Sequence, residues 1–167
     1  MQFGGGIARS TDGGDTWQVT GLTENNLVEA IAINPINNHE ILASAGFPYG
    51  SIYKSIDGGE TWQEKISDIA LVQDIVYDPR NPRWVYAATE GYGVLRSFNG
   101  GETWHPIMNG LDERWPNHMV ERFLQVNDVL LAVLSNGQLL SSSLDTWDWV
   151  EVLPPVQDVN AVVALTT

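Results

Sequence analysis

A nine-residue segment recurs along this chain at a spacing that few folds accommodate. RSTDGGDTW (Arg9 to Trp17) returns as KSIDGGETW (Lys54 to Trp62) and as RSFNGGETW (Arg96 to Trp104). A shortened copy, SSSLDTW, runs from Ser141 to Trp147. The tryptophans Trp17, Trp62, Trp104 and Trp147 stand 45, 42 and 43 residues apart. A period of roughly 40–45 residues is long enough for one four-stranded antiparallel unit per copy, repeated around an axis.

The sequence between the copies agrees with that reading. VEAIAINP, VQDIVYDP and VERFLQVN begin at Val28, Val72 and Val120. Each leads to a second apolar run (ILASAGF, WVYAAT, VLLAVL) and then to a third (GSIYKS, GVLRS, GQLLSSS) that enters the repeated segment. Short runs rich in β-branched and aromatic residues, bounded by Gly, Pro and Asn, predict strands. Only LDERWPNHMVERF could open a helical turn, and Pro116 interrupts it. The ends are out of phase: MQFGGGIARS reads as the tail of a second strand and a third, and DVNAVVALTT as a first. Sixteen strands are expected in one domain spanning 1–167. The units are 1–27 (completed by a strand within 156–167), 28–71, 72–119 and 120–155.

The repeated segment explains its own composition. Asp12, Asp57 and Asn99 each offer a side-chain oxygen to the N–H groups of their own turn. Gly13-Gly14, Gly58-Gly59 and Gly100-Gly101 supply positive φ angles for a tight connection. Thr16-Trp17, Thr61-Trp62 and Thr103-Trp104 open the next strand with a large apolar face. Ser10, Ser55 and Ser97 complete the pattern S-x-D/N-G-G-x-T-W. The copy ending at Trp147 lacks the Gly-Gly pair, so its hairpin needs another turn.

This pattern closely resembles the Asp-box, or BNR, repeat family, over essentially the whole chain. The resemblance implies an all-β fold, a β-propeller of four-stranded antiparallel blades. Four boxes fit either half of an eight-bladed ring built by a homodimer or a closed four-bladed monomer. It also implies that the box lies on the hairpin between the third and fourth strands, away from the ligand face. Members include sialidases, xyloglucan-cleaving glycosidases, sortilin-type sorting receptors and a photosystem II assembly factor, so the repeat defines fold and not function. An extracellular or periplasmic setting is implied by the resemblance alone; the N-terminus shows no signal-peptide pattern.

Charge narrows the partners. Twenty-one acidic residues stand against 8 basic ones, a net charge of -13. Such a surface repels nucleic acid and anionic lipid headgroups. No apolar run approaches the roughly eighteen residues of a membrane span. With no cysteine, disulfides and thiolate metal sites are excluded. His39, His105 and His118 fall at unrelated repeat positions, so no metal or cofactor site is expected.

Catalytic requirements are poorly met. The resemblance to sialidases implies an arginine triad, but of six arginines only Arg122 opens an innermost strand, and the Phe/Tyr-Arg-Ile-Pro motif is absent. A glycosidase needs two carboxylates across a cleft. Glu29, Asp74 and Glu121 lie at the starts of three inner strands, where polar residues also line an ordinary solvated channel. The loops of that face carry Phe47, Tyr49, Glu90, Tyr92 and Trp115 as well. We expect a non-catalytic binding or scaffold module whose ligand, a glycan or a protein loop, meets Glu29, Tyr49, Asp74, Tyr92, Trp115 and Arg122. A glycan-active hydrolase and a complex-assembly factor are the alternatives.

Overall fold

The computed structural model describes residues 6–23, 27–90, 93–107, 120–146 and 148–153. Tyr92, Trp115, Trp147, the proposed helical turn up to residue 119 and the expected strand within 156–167 lie outside the described residues.

Alternating and continuous apolar runs both become strands, and every described element is β. Sheet 1 pairs β1 (Ile7–Arg9) with β2 (Gln18–Gly21). Sheet 2 is the meander β3 (Val28–Ile33), β4 (Ile41–Ala45), β5 (Gly50–Ser55) and β6 (Gln63–Ile69). Sheet 3 repeats it with β7 (Val72–Tyr77), β8 (Val85–Thr89), β9 (Gly93–Ser97) and β10 (His105–Ile107). Sheet 4 does so with β11 (Val120–Val126), β12 (Val129–Leu134), β13 (Leu139–Ser143) and β14 (Trp149–Leu153).

The first strands form the inner layer, β3 packing on β7 and β7 on β11. The second strands are covered on both faces, which is why ILASA and VYAAT are continuously apolar or small: every residue of β4 and β8 is buried. One core lies between sheets 2 and 3, built by Ala32, Leu42, Ile52, Ile75, Tyr77 and Trp104. A second lies between sheets 3 and 4, built by Tyr86, Ala88, Val94, Leu130, Leu134 and Trp149. No strand pairing joins sheet 4 back to sheet 1 among the described residues.

Each inner strand skips one residue near its start. The pairing runs Val28–Ala45 then Ala30–Ser44, Val72–Thr89 then Asp74–Ala88, and Val120–Leu134 then Arg122–Val133. Glu29, Gln73 and Glu121 are therefore the equivalent, bulged residues. Asp74 stands one step further on, level with Ala30 and Arg122.

Candidate functional site

The box is a closed hydrogen-bond circuit. In the first copy Thr16 N–H donates to Asp12 Oδ1 at 2.9 Å and the Thr16 hydroxyl to Asp12 Oδ2 at 2.5 Å. The Ser10 hydroxyl donates to Asp12 Oδ1 at 2.7 Å while its oxygen accepts Gly14 N–H at 2.8 Å. The second copy repeats this with Ser55, Asp57, Gly59 and Thr61. In the third, Asn99 Oδ1 accepts from Thr103 N–H and Ser97, and its Nδ2 donates to Thr103 Oγ1 at 2.9 Å. Asp12, Asp57 and Asn99 thus each bond back to their own turn, and the serine is a second hub of the circuit.

Each box indole also closes back on its own turn. Trp17, Trp62 and Trp104 Nε1 donate to the carbonyls of Gly14, Gly59 and Gly101 at 3.0, 3.0 and 3.1 Å. Covering differs: Trp17 is 65% exposed and Trp104 only 8%. Trp62 lies against Gly21 of sheet 1, where a Cβ would run into the indole. The box of one sheet is therefore buried by the sheet before it.

The boxes also dock on the first hairpin of their own sheet. Gly58 N–H donates to His39 O and Gly100 N–H to Arg83 O at 2.9 and 2.7 Å. In the shortened fourth copy Leu144 N–H reaches Asp128 O at 2.8 Å, so the docking survives without Gly-Gly or the Asp lock.

Charges stitch the seams. Arg9 Nη1 donates to Gly58 O at 2.6 Å, and its Nη2 lies 3.5 Å from Glu60 Oε1. Lys54 Nζ reaches Glu102 at 2.8 Å, and Lys65 joins the same carboxylate at 2.6 Å. Arg80 pairs with Asp128 at 2.5 Å, and Arg96 sits over the Phe98 ring at 3.9 Å. Arg9 and Arg80 thus take up structural contacts in two different seams, Arg96 stacks within its own sheet, and the three do not form a triad.

Four of the six expected ligand residues lie at the starts of inner strands or on the β4–β5 loop. Glu29 is exposed at the start of β3, and Tyr49 is exposed on the β4–β5 loop with Phe47. Leu27, also exposed, is tied to that loop by Gly46 N–H to Leu27 O at 3.1 Å. Arg122 is exposed at the start of β11. Asp74 lies deeper: its Oδ2 accepts Phe123 N–H across the seam at 3.1 Å. Burial pushes the Asp74 carboxyl up, while that N–H and the Arg122 guanidinium pull it down. At the preceding seam the bridge is Ser44, accepting Ala30 N–H and donating to Val72 O, each at 3.0 Å. Phe47, which the sequence already places on a loop of that face, and Leu27, which only its exposure identifies, extend the rim beyond the six. Among the described residues no group of three His, Cys, Asp or Glu could hold a metal ion, and no helix is long and apolar enough to cross a membrane.

Meanders of four strands, joined by locked box turns and packed through their first strands, are the blades of an Asp-box propeller. The BNR/Asp-box repeat model matches residues 53–64 and 95–106, so these two copies are BNR/Asp-box repeats. It superposes on an ancestral GH74 enzyme with a TM-score of 0.68 at 23% identity, covering 88% of this chain and 23% of that one. YCF48 from Cyanidioschyzon merolae gives 0.65 at 16% identity, covering 80% of this chain and 39% of that one. YCF48 bound to D1 peptide gives 0.60 at 17%, covering 84% and 45%. This chain thus spans less than half the length of each, and at these identities the likeness shows the fold. Among curated protein sequences none matches it.

Proposed function

We propose that this chain is a non-catalytic binding or scaffold propeller that grips a protein loop, or a neutral glycan, on its inner-strand rim. The observation that carries the reading is the cluster of Leu27, Phe47 and Tyr49 left exposed beside Glu29. Exposed aromatics with flanking polar groups are the anchors of protein and sugar recognition. A structural neighbour, YCF48, has been solved with a D1 peptide, which supports a peptide ligand for a propeller of this kind. Titrating neutral oligosaccharides and basic peptides, with aromatic fluorescence as the readout, tests it; no saturable signal from either class removes the reading.

The glycan-active hydrolase stays as a second reading because another neighbour is a GH74 enzyme and Asp74 has a raised carboxyl. Against it, the Asp74 carboxylate is engaged by Phe123 and is out of step with Glu29 and Glu121. Hydrolysis of xyloglucan that Asp74→Asn abolishes would establish the enzyme instead.

For assembly we propose a two-fold homodimer closing one eight-bladed ring, ahead of a four-bladed monomer. The segment expected to be exchanged, Val159 to Thr166, lies outside the described residues. Light scattering that returned a stable monomer of 18.4 kDa would remove the dimer.

A further inference from the structure

The third box departs from the first two at its lock. Where they have Asp12 and Asp57 it has Asn99, and the residue that follows is Gly100. An asparagine before a glycine is open to attack by its own backbone: with no Cβ on the following residue, that residue's nitrogen meets little hindrance on its way to the carboxamide carbon. The docked box withholds the nucleophile. Gly100 is buried, and its N–H is donated away from Asn99, to Arg83 O on the β7–β8 hairpin at 2.7 Å. The box also holds the target. Asn99 Oδ1 accepts Thr103 N–H and the Ser97 hydroxyl, and Nδ2 donates to Thr103 Oγ1, each at 2.9 Å. Asn99 itself is exposed, so water already reaches the carboxamide.

We propose that Asn99 is a latent deamidation site, closed while the box is docked on Arg83 and released when the box opens. In the open box the Gly100 nitrogen, its proton taken by hydroxide, attacks Cγ of Asn99. The N–Cγ bond forms, the Cγ–Nδ2 bond breaks, and Nδ2 takes a proton from water and leaves as ammonia. One water then hydrolyses the succinimide. Addition at Cγ reopens the new bond and leaves an aspartate in the original backbone. Addition at the main-chain carbonyl carbon breaks the old peptide bond instead and leaves isoaspartate. The two products have opposite consequences. Aspartate is the lock of the first two boxes, where the carboxylate accepts the threonine N–H, the threonine hydroxyl and the serine hydroxyl. A box that gains it closes again, with the Thr103 hydroxyl turned from acceptor to donor. Isoaspartate lengthens the turn by one backbone carbon and shortens the side chain by one, so the carboxylate no longer spans to Thr103. Opening of this one box is thus recorded as a covalent change, which either completes the lock or destroys it.

The full chain, incubated at alkaline pH with and without urea, tests the site, with conversion at each asparagine assigned by fragmentation mass spectrometry. The peptide RSFNGGETW, residues 96–104, supplies the unprotected rate. Asn99 should convert at least tenfold more slowly in the folded chain than in the peptide, and unfolding in urea should remove the difference. Asn136, which also precedes a glycine but whose Oδ1 accepts Gln138 N–H in the β12–β13 turn, serves as the internal control. Thr103→Val takes away the acceptor of Nδ2 and should speed Asn99 severalfold in the folded chain while leaving Asn136 unchanged. Low urea, below the unfolding transition, should do the same without a substitution. Asn99→Asp should keep Tm within a few degrees of the parent, and the isoaspartate form, separated by chromatography, should melt lower. Conversion of Asn99 at the peptide rate in the folded chain overturns the proposal, as does a rate indifferent to both Thr103→Val and low urea. Acceleration that Asn136 shares equally also overturns it, since the reaction then follows global unfolding.

Discussion

The ammonium of Lys54 lies 2.8 Å from Oε1 of Glu102, across the seam between sheets 2 and 3, with Glu40 a further partner at 3.6 Å. Lys54 is the residue immediately before one box, and Glu102 lies inside the next. Arg9 and Glu60 hold the same two positions one seam earlier. The cations before the first and second boxes thus each clasp the acid of the following box. Ser141 stands in the cation's place in sheet 4, so the last sheet offers no such charge.

The Lys54–Glu102 clasp should be measurable in urea unfolding. Lys54 is almost fully buried and Glu102 is partly exposed, so Glu102→Ala should cost about 1–2 kcal/mol, between exposed-pair and buried-pair values. In a Lys54→Met background most of that cost should vanish, because the buried ammonium is what Glu102 neutralises. Additive effects of the two changes would show that the pair is not coupled.

Acid sensitivity should track the box aspartates. Hydrogen bonds from the Thr16 hydroxyl and N–H, then from Ser10, hold the Asp12 carboxyl well below the usual range; Thr61 and Ser55 do the same for Asp57. Lys54 and Lys65 lower Glu102. A carboxylate depressed in the folded state contributes stability that is fully present above its unfolded pKa of about 4, and loses it as pH falls towards the folded value. Asn99 shows that an amide closes the same circuit. Asp12→Asn with Asp57→Asn should therefore keep Tm at pH 7 within a few degrees, and should flatten its decline between about pH 5 and 3. Asp57→Ala should instead lower Tm at every pH, having removed the acceptor itself. An unchanged acid slope in the double Asn variant would place the proton uptake elsewhere.

Two box glycines separate backbone strain from packing. Gly14 (φ 103°) has open space where a Cβ would go, whereas at Gly101 (φ 88°) the Cβ would strike Leu42. Gly14→Ala should cost about 1–2 kcal/mol from the left-handed backbone alone. Gly101→Ala should cost about 1–3 kcal/mol more, from overpacking. Equal costs in chemical denaturation would mean that Leu42 gives way freely.

Strands and boxes were legible because each is encoded within one repeat: VEAIAI, ILASA and GSIYKS announce their period and bounds locally. Seams are not local. Asp74 and Glu29 looked equivalent on the page, and only the skipped residue in each inner strand shows that Glu29 matches Gln73. The paired roles of Lys54 and Glu102 lie 48 residues apart, although Arg9, Lys54 and Arg96 could have been read from the aligned copies. Exposure of Trp17 against burial of Trp104 depends on which sheet comes before, and the two boxes are nearly identical in sequence. The rim was legible as a set of loops, and its membership depends on which apolar side chains the packing leaves uncovered.

The rim makes the last prediction. Phe47 and Tyr49 are exposed and belong to neither core, so truncating them removes contact area for a ligand without opening a cavity. Tyr49→Ala and Phe47→Ala should leave Tm within about 2 °C of the parent, in line with surface substitutions of at most about 0.5 kcal/mol. Each should weaken binding of the protein-loop or glycan ligand by tenfold or more, since a buried aromatic anchor carries at least about 1–2 kcal/mol. Glu29→Gln should act more gently, through a change in the salt dependence of association. Asp74→Asn serves as the contrast. Its oxygen still accepts Phe123 N–H, so a variant that folds normally and binds normally would assign Asp74 to the seam. Binding that survives both aromatic truncations moves the ligand off this rim.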